Sequence, residues 1–159
     1  MLGFDAFQQQ AEAGAVPAFH FPWKEGVLAK LPDPGAAFGL DLYTTQVTNE
    51  GLKELAGLKN LHYLGLWGTQ VTGTGLKELT GLRRLALYRA QVTDAGLQGL
   101  AGLQSLQTLD LGGTQVTNKG LKELVGLKNL QWLNLRETEV TAEGVSALQK
   151  DLPACKILR

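Results

Sequence analysis

Few residues of this chain could carry out catalysis, because nucleophiles and bases are scarce. The 159 residues include two histidines (His20 and His62), two serines (Ser105 and Ser146) and a single cysteine, Cys155. A catalytic triad needs a base and an acid arranged behind the nucleophile, and no such set is spaced consistently here. The sequence therefore predicts a protein that is not an enzyme. Two separated histidines and one cysteine also make a poor zinc site, so no metal is expected.

The cysteine count also limits covalent structure. With one cysteine an internal disulfide is impossible. Cys155 is interpreted as a small buried hydrophobic residue, with a reactive thiol as the alternative.

Two glycine-containing stretches resemble a phosphate-binding loop. In "GTQVTGTG" (68–75) Thr74 stands where that loop has its lysine, and in "GTQVTNKG" (113–120) Asn118 replaces the second glycine. A repeat explains both sets of glycines, so no nucleotide or other cofactor is predicted. Asp41 and Asp110 occupy equivalent repeat positions, but at about 5 Å per coil they would be more than about 10 Å apart. That is wide for a glycosidase pair, and solvated side chains on a sheet face are the favoured interpretation.

The overall composition argues against several classes of partner. Fifteen basic and fifteen acidic residues cancel, so no net field attracts nucleic acid or an anionic membrane. The start "MLGFDAFQQQAEAG" lacks the features of a secretory signal, and no apolar run approaches the roughly 20 residues of a membrane span. A hydrophobic content of 44% is sufficient for a packed core. We expect a cytoplasmic protein, monomeric, with no nucleic-acid or membrane partner.

One pattern organises most of the sequence. "LGLWGTQVT" (64–72) has four near-copies, and the valine of each recurs at steps of 24, 21, 24 and 24 residues: Val47, Val71, Val92, Val116 and Val140. The alternation of Leu64 and Leu66 predicts a short strand with both leucines inward. Leu76 and Leu79, three residues apart, predict a helix, with Thr72 as its N-cap and Gly81 as a left-handed C-cap. Each unit would then be a strand, a turn and a helix, stacked on its neighbours to share a core.

Two details of the repeat carry further predictions. A threonine follows four of the strands at a fixed offset, and its hydroxyl could bond backbone groups between coils. These residues are Thr45, Thr69, Thr114 and Thr138. The third copy has Ala90 at this position. The third copy also lacks three residues between Leu79 and Leu87. We predict that residues 85–87 remain its strand, that the approach to the strand is shortened, and that this coil is kinked or unevenly spaced.

This pattern resembles the leucine-rich repeat superfamily, and within it the bacterial type written LxxLxLxxTxVTxxGLxxLxxL. That type is similar to ribonuclease-inhibitor-like and F-box-associated repeats. The resemblance covers roughly residues 37–159 and implies an α/β fold: a solenoid, a right-handed β-α superhelix with a parallel sheet on its concave face and helices outside. It implies a bacterial protein and protein recognition as the usual task, but no particular ligand.

The ends of the repeat array are expected to act as caps, because terminal coils expose the core. We divide the chain into an N-terminal segment (1–36), the leucine-rich repeats (37–150) and a C-terminal capping strand (151–159). The N-terminal segment would contain a degenerate capping coil over Phe19–Leu31. Before it, "FDAFQQQAEAG" would be a short helix with Phe4 and Phe7 inward, or alternatively a loose tail. In the last strand Cys155 and Ile157 would take the inward leucine positions.

The residues between the leucines should form the outer surface of the concave sheet. They fall into three columns: Gly39, Tyr63, Arg84, Thr108 and Trp132; Asp41, Gly65, Ala86, Asp110 and Asn134; and Tyr43, Trp67, Tyr88, Gly112 and Arg136. The third column predicts an aromatic row, beside a trough left by Gly65 and Ala86. Exposed Trp, Tyr and Arg are typical of binding hot spots, although aromatic residues also suit strands for packing reasons alone. The predicted partner-binding residues are Tyr43, Tyr63, Trp67, Arg84, Tyr88, Asp110, Trp132 and Arg136.

From these observations the sequence predicts a non-catalytic module that binds a protein or peptide on its concave face. One alternative is the substrate-recognition part of a larger regulator, such as an F-box-like adaptor or a receptor. Another is a solenoid that binds a small ligand or a sugar in the aromatic trough.

Overall fold

A single parallel sheet runs the length of the molecule. The computed structural model describes residues 18–20, 24, 26, 28–31 and 35–159, and within them seven strands pair in sequence order. The strands are β1 (Ala18–His20), β2 (Phe38–Asp41), β3 (Leu61–Gly65), β4 (Arg84–Ala86), β5 (Thr108–Asp110), β6 (Trp132–Asn134) and β7 (Lys156–Leu158). Each strand pairs with the next in parallel, which is the arrangement of a leucine-rich repeat solenoid. The predicted fold class is confirmed.

The core is a stack of leucines that the sequence pattern places on one side of every coil. Leu40 pairs with Leu64, Leu64 with Leu85, and the register continues through Leu109 to Leu133. These side chains are buried, as are the leucines two residues further along each coil. Fully burying a leucine contributes about 1.5–3 kcal/mol before the cost in conformational entropy. No coil could bury this stripe alone, so the stacking itself holds the fold together.

The outer side of the coils is built mainly from 3-10 helical turns rather than α-helix. Among the described residues, α-helix occurs at α1 (Asn49–Lys53) and α2 (Ala142–Asp151). The 3-10 segments are Leu28–Lys30, Glu54–Gly57, Thr74–Leu76, Gly96–Gly99 and Gly120–Leu124. The spacing of the leucines explains the difference: Leu97, Leu100 and Leu103 recur every third residue, which matches the three residues per turn of a 3-10 helix.

The sequence placed two caps incorrectly. Thr72 does not cap Thr74–Leu76, because Gly73 takes that position with φ 103° and no side-chain bond. The hydroxyls of Thr48 and Thr141 do cap α1 and α2, by accepting the N–H of the third residue on. Gly81 is not left-handed. A Cβ there would lie 2.7 Å from the carbonyl oxygen of Lys59, so this glycine serves the close approach of two coils.

The predicted threonine column bonds within each coil, not between coils. The hydroxyls of Thr45, Thr69 and Thr114 each donate to the carbonyl of the leucine three residues earlier, at 2.6–2.7 Å, and Thr138 does the same. The hydroxyl bonds to the carbonyl three residues earlier in its own turn, so the acceptor belongs to the same coil and not to a neighbouring one. Ala90 keeps only the backbone bond to Leu87.

Bonds between coils are made instead by a column of Asn and Asp side chains that the sequence reasoning missed. Asn49 accepts the N–H of Thr72 (3.1 Å) and donates to its hydroxyl (2.8 Å). Asp94 accepts both groups of Thr117, at 2.8 and 2.7 Å. Asn118 repeats the Asn49 pattern on Thr141. These residues lie two positions after the repeat valine, where the second copy has Gly73 after Val71.

The three-residue gap is absorbed outside the sheet. β4 pairs in unbroken register with β3 and β5. Of the predicted strand over residues 85–87, Leu85 and Ala86 lie in β4, and Leu87 follows its last residue. In the coil before β5 four leucines donate their N–H to the carbonyl three residues earlier, and in the coil before β4 three leucines do so. They are Leu97, Leu100, Leu103 and Leu106 before β5, and Leu76, Leu79 and Leu82 before β4. The shortened approach therefore omits one turn of the leucine ladder. The irregularity expected here does not interrupt the pairing of the strands.

The two ends of the sheet carry the strands that the sequence favoured as caps. β1 pairs with β2, Phe19 opposite Leu40, and Leu28 is buried in the core. Phe4 and Phe7 lie outside the described residues. At the other end Cys155 is buried and Ile157, opposite Leu133, is packed against the core. The domain boundaries at residues 36 and 150 stay a prediction.

Candidate functional site

The three surface columns lie in the register that the repeat alignment gives. Gly39, Tyr63, Arg84, Thr108 and Trp132 are successive strand partners, and so are Asp41, Gly65, Ala86, Asp110 and Asn134. Past the strands, the backbone ladder continues as Thr44 donates to the carbonyl of Trp67 and Gly68 to that of Tyr88. The third column is therefore held side by side by main-chain bonds.

Three aromatic rings form a continuous row along this column. The ring centroids of Tyr43 and Trp67 are 6.2 Å apart, and those of Trp67 and Tyr88 are 6.3 Å apart, with interplanar angles of 31° and 43°. Tyr43 is 39% exposed and Trp67 44%, and they are the exposed large hydrophobic side chains of the described chain. Such tilted pairs stabilise one another, yet leave part of each ring in contact with water. We call Tyr43, Trp67 and Tyr88 the aromatic row.

An open pocket of about 270 Å³ lies beside the row, at the trough that the sequence predicted. Its lining combines aromatic rings, one carboxylate and two small residues: Asp41, Tyr43, Tyr63, Gly65, Trp67 and Ala86. A Cβ on Gly65 would collide with the Asp41 carboxylate and the Tyr63 hydroxyl. The glycine therefore lets these two polar groups approach each other at the base of the pocket.

The electrostatics of this base follow from the same contacts. Burial, and then the negative charge of Asp41, raise the pKa of the Tyr63 phenol. The phenol therefore stays protonated and neutral at physiological pH, and can donate a hydrogen bond. Asp41 also accepts a weak bond from the N–H of Tyr43 at 3.4 Å. The pocket thus has aromatic walls and a single carboxylate.

A column of left-handed residues turns the chain after each third-column residue. Thr44, Arg89 and Glu137 have φ of 53–58°, and Gly68 and Gly113 have 65°. Glycine adopts this conformation freely, whereas a residue with a Cβ is held there at a cost of about 1–2 kcal/mol. At Arg89 and Glu137 the chain accepts that cost in positions where the side chains bond to each other.

Arg89 and Glu137 belong to a cluster that anchors the last ring of the row. The Tyr88 hydroxyl donates to the Glu137 carboxylate at 3.0 Å, and Arg89 Nη2 bonds the same carboxylate at 3.2 Å. The Arg89 guanidinium also lies 5.0 Å from the centroid of the Tyr88 ring. The cluster crosses an entire coil, and Gly112 and Gly113 beneath it have no side chains that would obstruct it. The bond to Glu137 is the main cause that raises the pKa of Tyr88, and it lowers the pKa of Glu137.

The remaining predicted site residues lie outside the pocket. Arg84 is exposed and pairs through its backbone with Tyr63, and Arg136 is exposed two coils beyond Tyr88. Trp132 is half-buried in β6. Asp110 bonds internally, because its Oδ1 accepts from the N–H of Gly112 (2.9 Å) and from Asn134 Nδ2 (2.8 Å). The structure thus brings Tyr43, Tyr63, Trp67 and Tyr88 together. Arg84 borders this group beside Tyr63, and the Asp110 carboxylate borders it beside Tyr88 across Gly112. Trp132 and Arg136 lie further along the sheet.

The sequence analysis placed Asp41 in the second surface column but not among the partner-binding residues, and it missed Arg89 and Glu137. The column positions alone could have placed Asp41 beside the row, since it is the strand partner of Gly65. Nothing in the local pattern pairs Arg89 with Glu137, because they are 48 residues apart and join only through coil stacking.

The described residues hold no cluster of three or more metal-ligating side chains. Burial and the nearby Arg83 lower the pKa of His62, and burial raises the pKa of the Cys155 thiol. The raised pKa disfavours the reactive thiolate of Cys155, and the lowered pKa favours the neutral form of the His62 imidazole. In the part of the chain that the structure covers, no helix has the length and apolarity to cross a membrane.

Comparisons with known proteins agree with this architecture. A leucine-rich repeat family profile matches residues 73–140. An internalin (inlF) from Listeria monocytogenes has a similar structure, with a TM-score of 0.62 and 26% identity over 75% of this chain and 33% of that one. A leucine-rich repeat protein of Leptospira interrogans is 28% identical over 76% of this chain and 36% of its own, with a TM-score of 0.52. No curated protein sequence matches the chain.

A third likeness concerns the fold alone. An internalin C2 (inlC2) from Listeria monocytogenes has a TM-score of 0.54 at 24% identity, over 76% of this chain and 70% of that one. The chain spans only about a third of the length of the first two proteins. Leucine-rich repeat domains generally mediate protein–protein interaction and are generally not enzymes. The repeated sequence, the parallel stacking and these likenesses show that the chain belongs to the leucine-rich repeat proteins.

Proposed function

We propose that this chain is a non-catalytic interaction module that binds a protein or peptide on its concave sheet face, with the aromatic row at the centre of the contact. The observation that carries the proposal is the exposure of Tyr43 and Trp67 in a row of three rings held at 6.2–6.3 Å. A soluble domain gains no stability from the exposed parts of such rings, so their position favours contact with a partner.

The chemistry of the row fits a binding hot spot. Tryptophan and tyrosine dominate hot spots because they bury a large area while losing little conformational freedom. The row is also pre-ordered: main-chain bonds fix its spacing, and the Glu137 carboxylate holds the Tyr88 ring. A surface that is ordered before binding loses less entropy when the complex forms.

The inward leucines and the outward columns of the sheet differ in how much they vary between repeats. The leucines that face inward repeat nearly unchanged, whereas the outward columns contain aromatic, acidic, basic and glycine residues. A stack of this kind can change its outer columns without disturbing its core, as recognition of a particular partner requires.

The test is affinity capture of the partner from cells that make this protein, followed by direct measurement with the purified partner. Replacing Tyr43, Trp67 and Tyr88 by alanine should weaken binding at least about thirtyfold, since one hot-spot residue contributes about 2 kcal/mol. The far-UV circular dichroism should be unchanged because the core is intact. A matched control replaces three exposed residues of the outer side, Lys77, Gln98 and Lys122, and should bind as the wild type. Undiminished binding by the aromatic triple variant would refute the proposal.

A further inference from the structure

We infer that the pocket between Tyr43, Tyr63 and Trp67 receives a positively charged side chain, lysine or arginine, from the partner. This inference rests on the proposed function, because it assigns one contact within the proposed interface. The partner group that contacts this part of the concave face would therefore be cationic.

The lining of the pocket selects for positive charge. Aromatic faces carry negative electrostatic potential at their centres and attract an ammonium or guanidinium group that lies over them. Three of the six lining residues are aromatic, one is the carboxylate of Asp41, and none is basic. An anionic group would meet the Asp41 charge and the ring faces, both unfavourable. A neutral aliphatic group would cover the carboxylate without pairing it, which costs desolvation energy.

The size of the pocket favours a side chain over a free ligand. Pockets for whole small molecules generally measure about 300–1,000 Å³ and enclose their ligands. This pocket measures about 270 Å³ and is open to solvent. A lysine or arginine fits such a shape, since its methylene stem can lie against the rings while its charged end reaches the carboxylate. A sugar or nucleotide would find no enclosing wall.

The base of the pocket is arranged for this contact. Gly65 has no side chain to separate Asp41 from Tyr63, so the carboxylate and the phenol oxygen both lie against this glycine in the pocket lining. A cationic group above them would meet the Asp41 charge and could also donate to the Tyr63 oxygen. Ala86 leaves the neighbouring side low enough for an aliphatic stem to enter.

The experiment titrates the folded chain with Nα-acetyl-lysine-N-methylamide, its arginine counterpart and its uncharged norleucine counterpart. The signal is the indole N–H of Trp67 in a ¹⁵N-correlated NMR spectrum, assigned with a Trp67→Phe variant. We expect saturable shifts with the two cations, and binding of norleucine weaker by about threefold to thirtyfold, which is the range of a cation–π contact. Asp41→Asn should weaken the cations by a similar factor, whereas Glu78→Gln, the same charge change on the outer side, should have no effect.

Several outcomes would overturn the inference. Equal binding of norleucine and lysine would show an apolar trough without charge selection, and absence of saturable shifts with any probe would show that no side chain enters. Comparison of the aromatic triple variant with Asp41→Asn tests the proposed function as well. If the partner is lost in the aromatic triple variant but is unaffected by Asp41→Asn, only this inference fails. If the cations bind but the triple variant still captures the partner, the pocket selects cations, but the proposed function fails and with it the assignment of that cation to the partner.

Discussion

The bonds between coils make a sharp prediction at Asp94. Its carboxylate accepts the N–H of Thr117 at 2.8 Å and the hydroxyl of Thr117 at 2.7 Å. Asp94→Ala removes both bonds and leaves the Thr117 N–H without its partner. Both residues are half-buried, so water can replace part of what is lost. We therefore expect the free energy of unfolding to fall by about 2 kcal/mol, about 1 kcal/mol for each bond.

The chain itself supplies the control. At the equivalent positions Asn49 and Asn118 make the same two contacts, with the amide nitrogen donating to the threonine hydroxyl. In Asp94→Asn the asparagine should do likewise with Thr117. We expect that variant to remain within about 0.5 kcal/mol of the wild type.

The assay combines urea denaturation, followed by circular dichroism, with amide hydrogen exchange. With a slope of about 2 kcal/mol per molar urea, Asp94→Ala should move the midpoint down by about 1 M. Because coils contact only their neighbours, the exchange rate should rise most at the Thr117 amide. If Asp94→Asn is as destabilised as Asp94→Ala, or if neither changes exchange at Thr117, the column of Asn and Asp does not join the coils as we argue.

Two further predictions concern close packing and titration. Gly96→Ala should destabilise the fold by at least about 2 kcal/mol in the same urea assay, because its Cβ would collide with the carbonyl of Thr72. Gly102→Ala, where nothing lies within 4 Å, should change it by less than about 0.5 kcal/mol, and equal effects would refute the argument. Glu137→Gln should lower the pKa of Tyr88, because the carboxylate bond that favours the neutral phenol is lost. An NMR titration of the Tyr88 ring between about pH 8 and pH 12 measures this, and an unchanged midpoint would contradict the cluster.

The sequence predicted the sheet well because the strand positions are chemically simple. A Leu-x-Leu alternation can bury its leucines on only one side of a parallel stack, so the position of Leu64 fixes what faces its neighbours. The same alternation predicts from the sequence alone that Tyr43, Trp67 and Tyr88 lie in one row. It also placed β4 correctly despite the missing triplet, because strand register is set by the buried face.

The outer side of the coils was predicted less well, since a leucine every third residue was interpreted as a helix of unspecified type. That spacing matches a 3-10 turn, whereas α2 has Val145, Leu148 and Leu152 at intervals of three and four. The contacts between coils were missed for a different reason. Asn49 and Asp94 look like ordinary turn residues, and only the stacking of coils shows that each one reaches the threonine of the next repeat.

The departures from the repeat concentrate in one coil, and that coil carries the last ring of the row. Between Val71 and Val92 the chain has Gly73 in place of the Asn or Asp, Ala90 in place of the threonine, and one leucine turn fewer. Each lost side-chain bond removes about 1 kcal/mol, whereas every buried leucine of the coil contributes about 1.5–3 kcal/mol, so the stack persists. The same coil accepts a left-handed arginine beside Tyr88. Natural sequences break local rules mostly where function requires it. The irregular coil thus supports the assignment of the aromatic row as the recognition surface. This support comes from the repeat framework and is separate from the exposure of the rings.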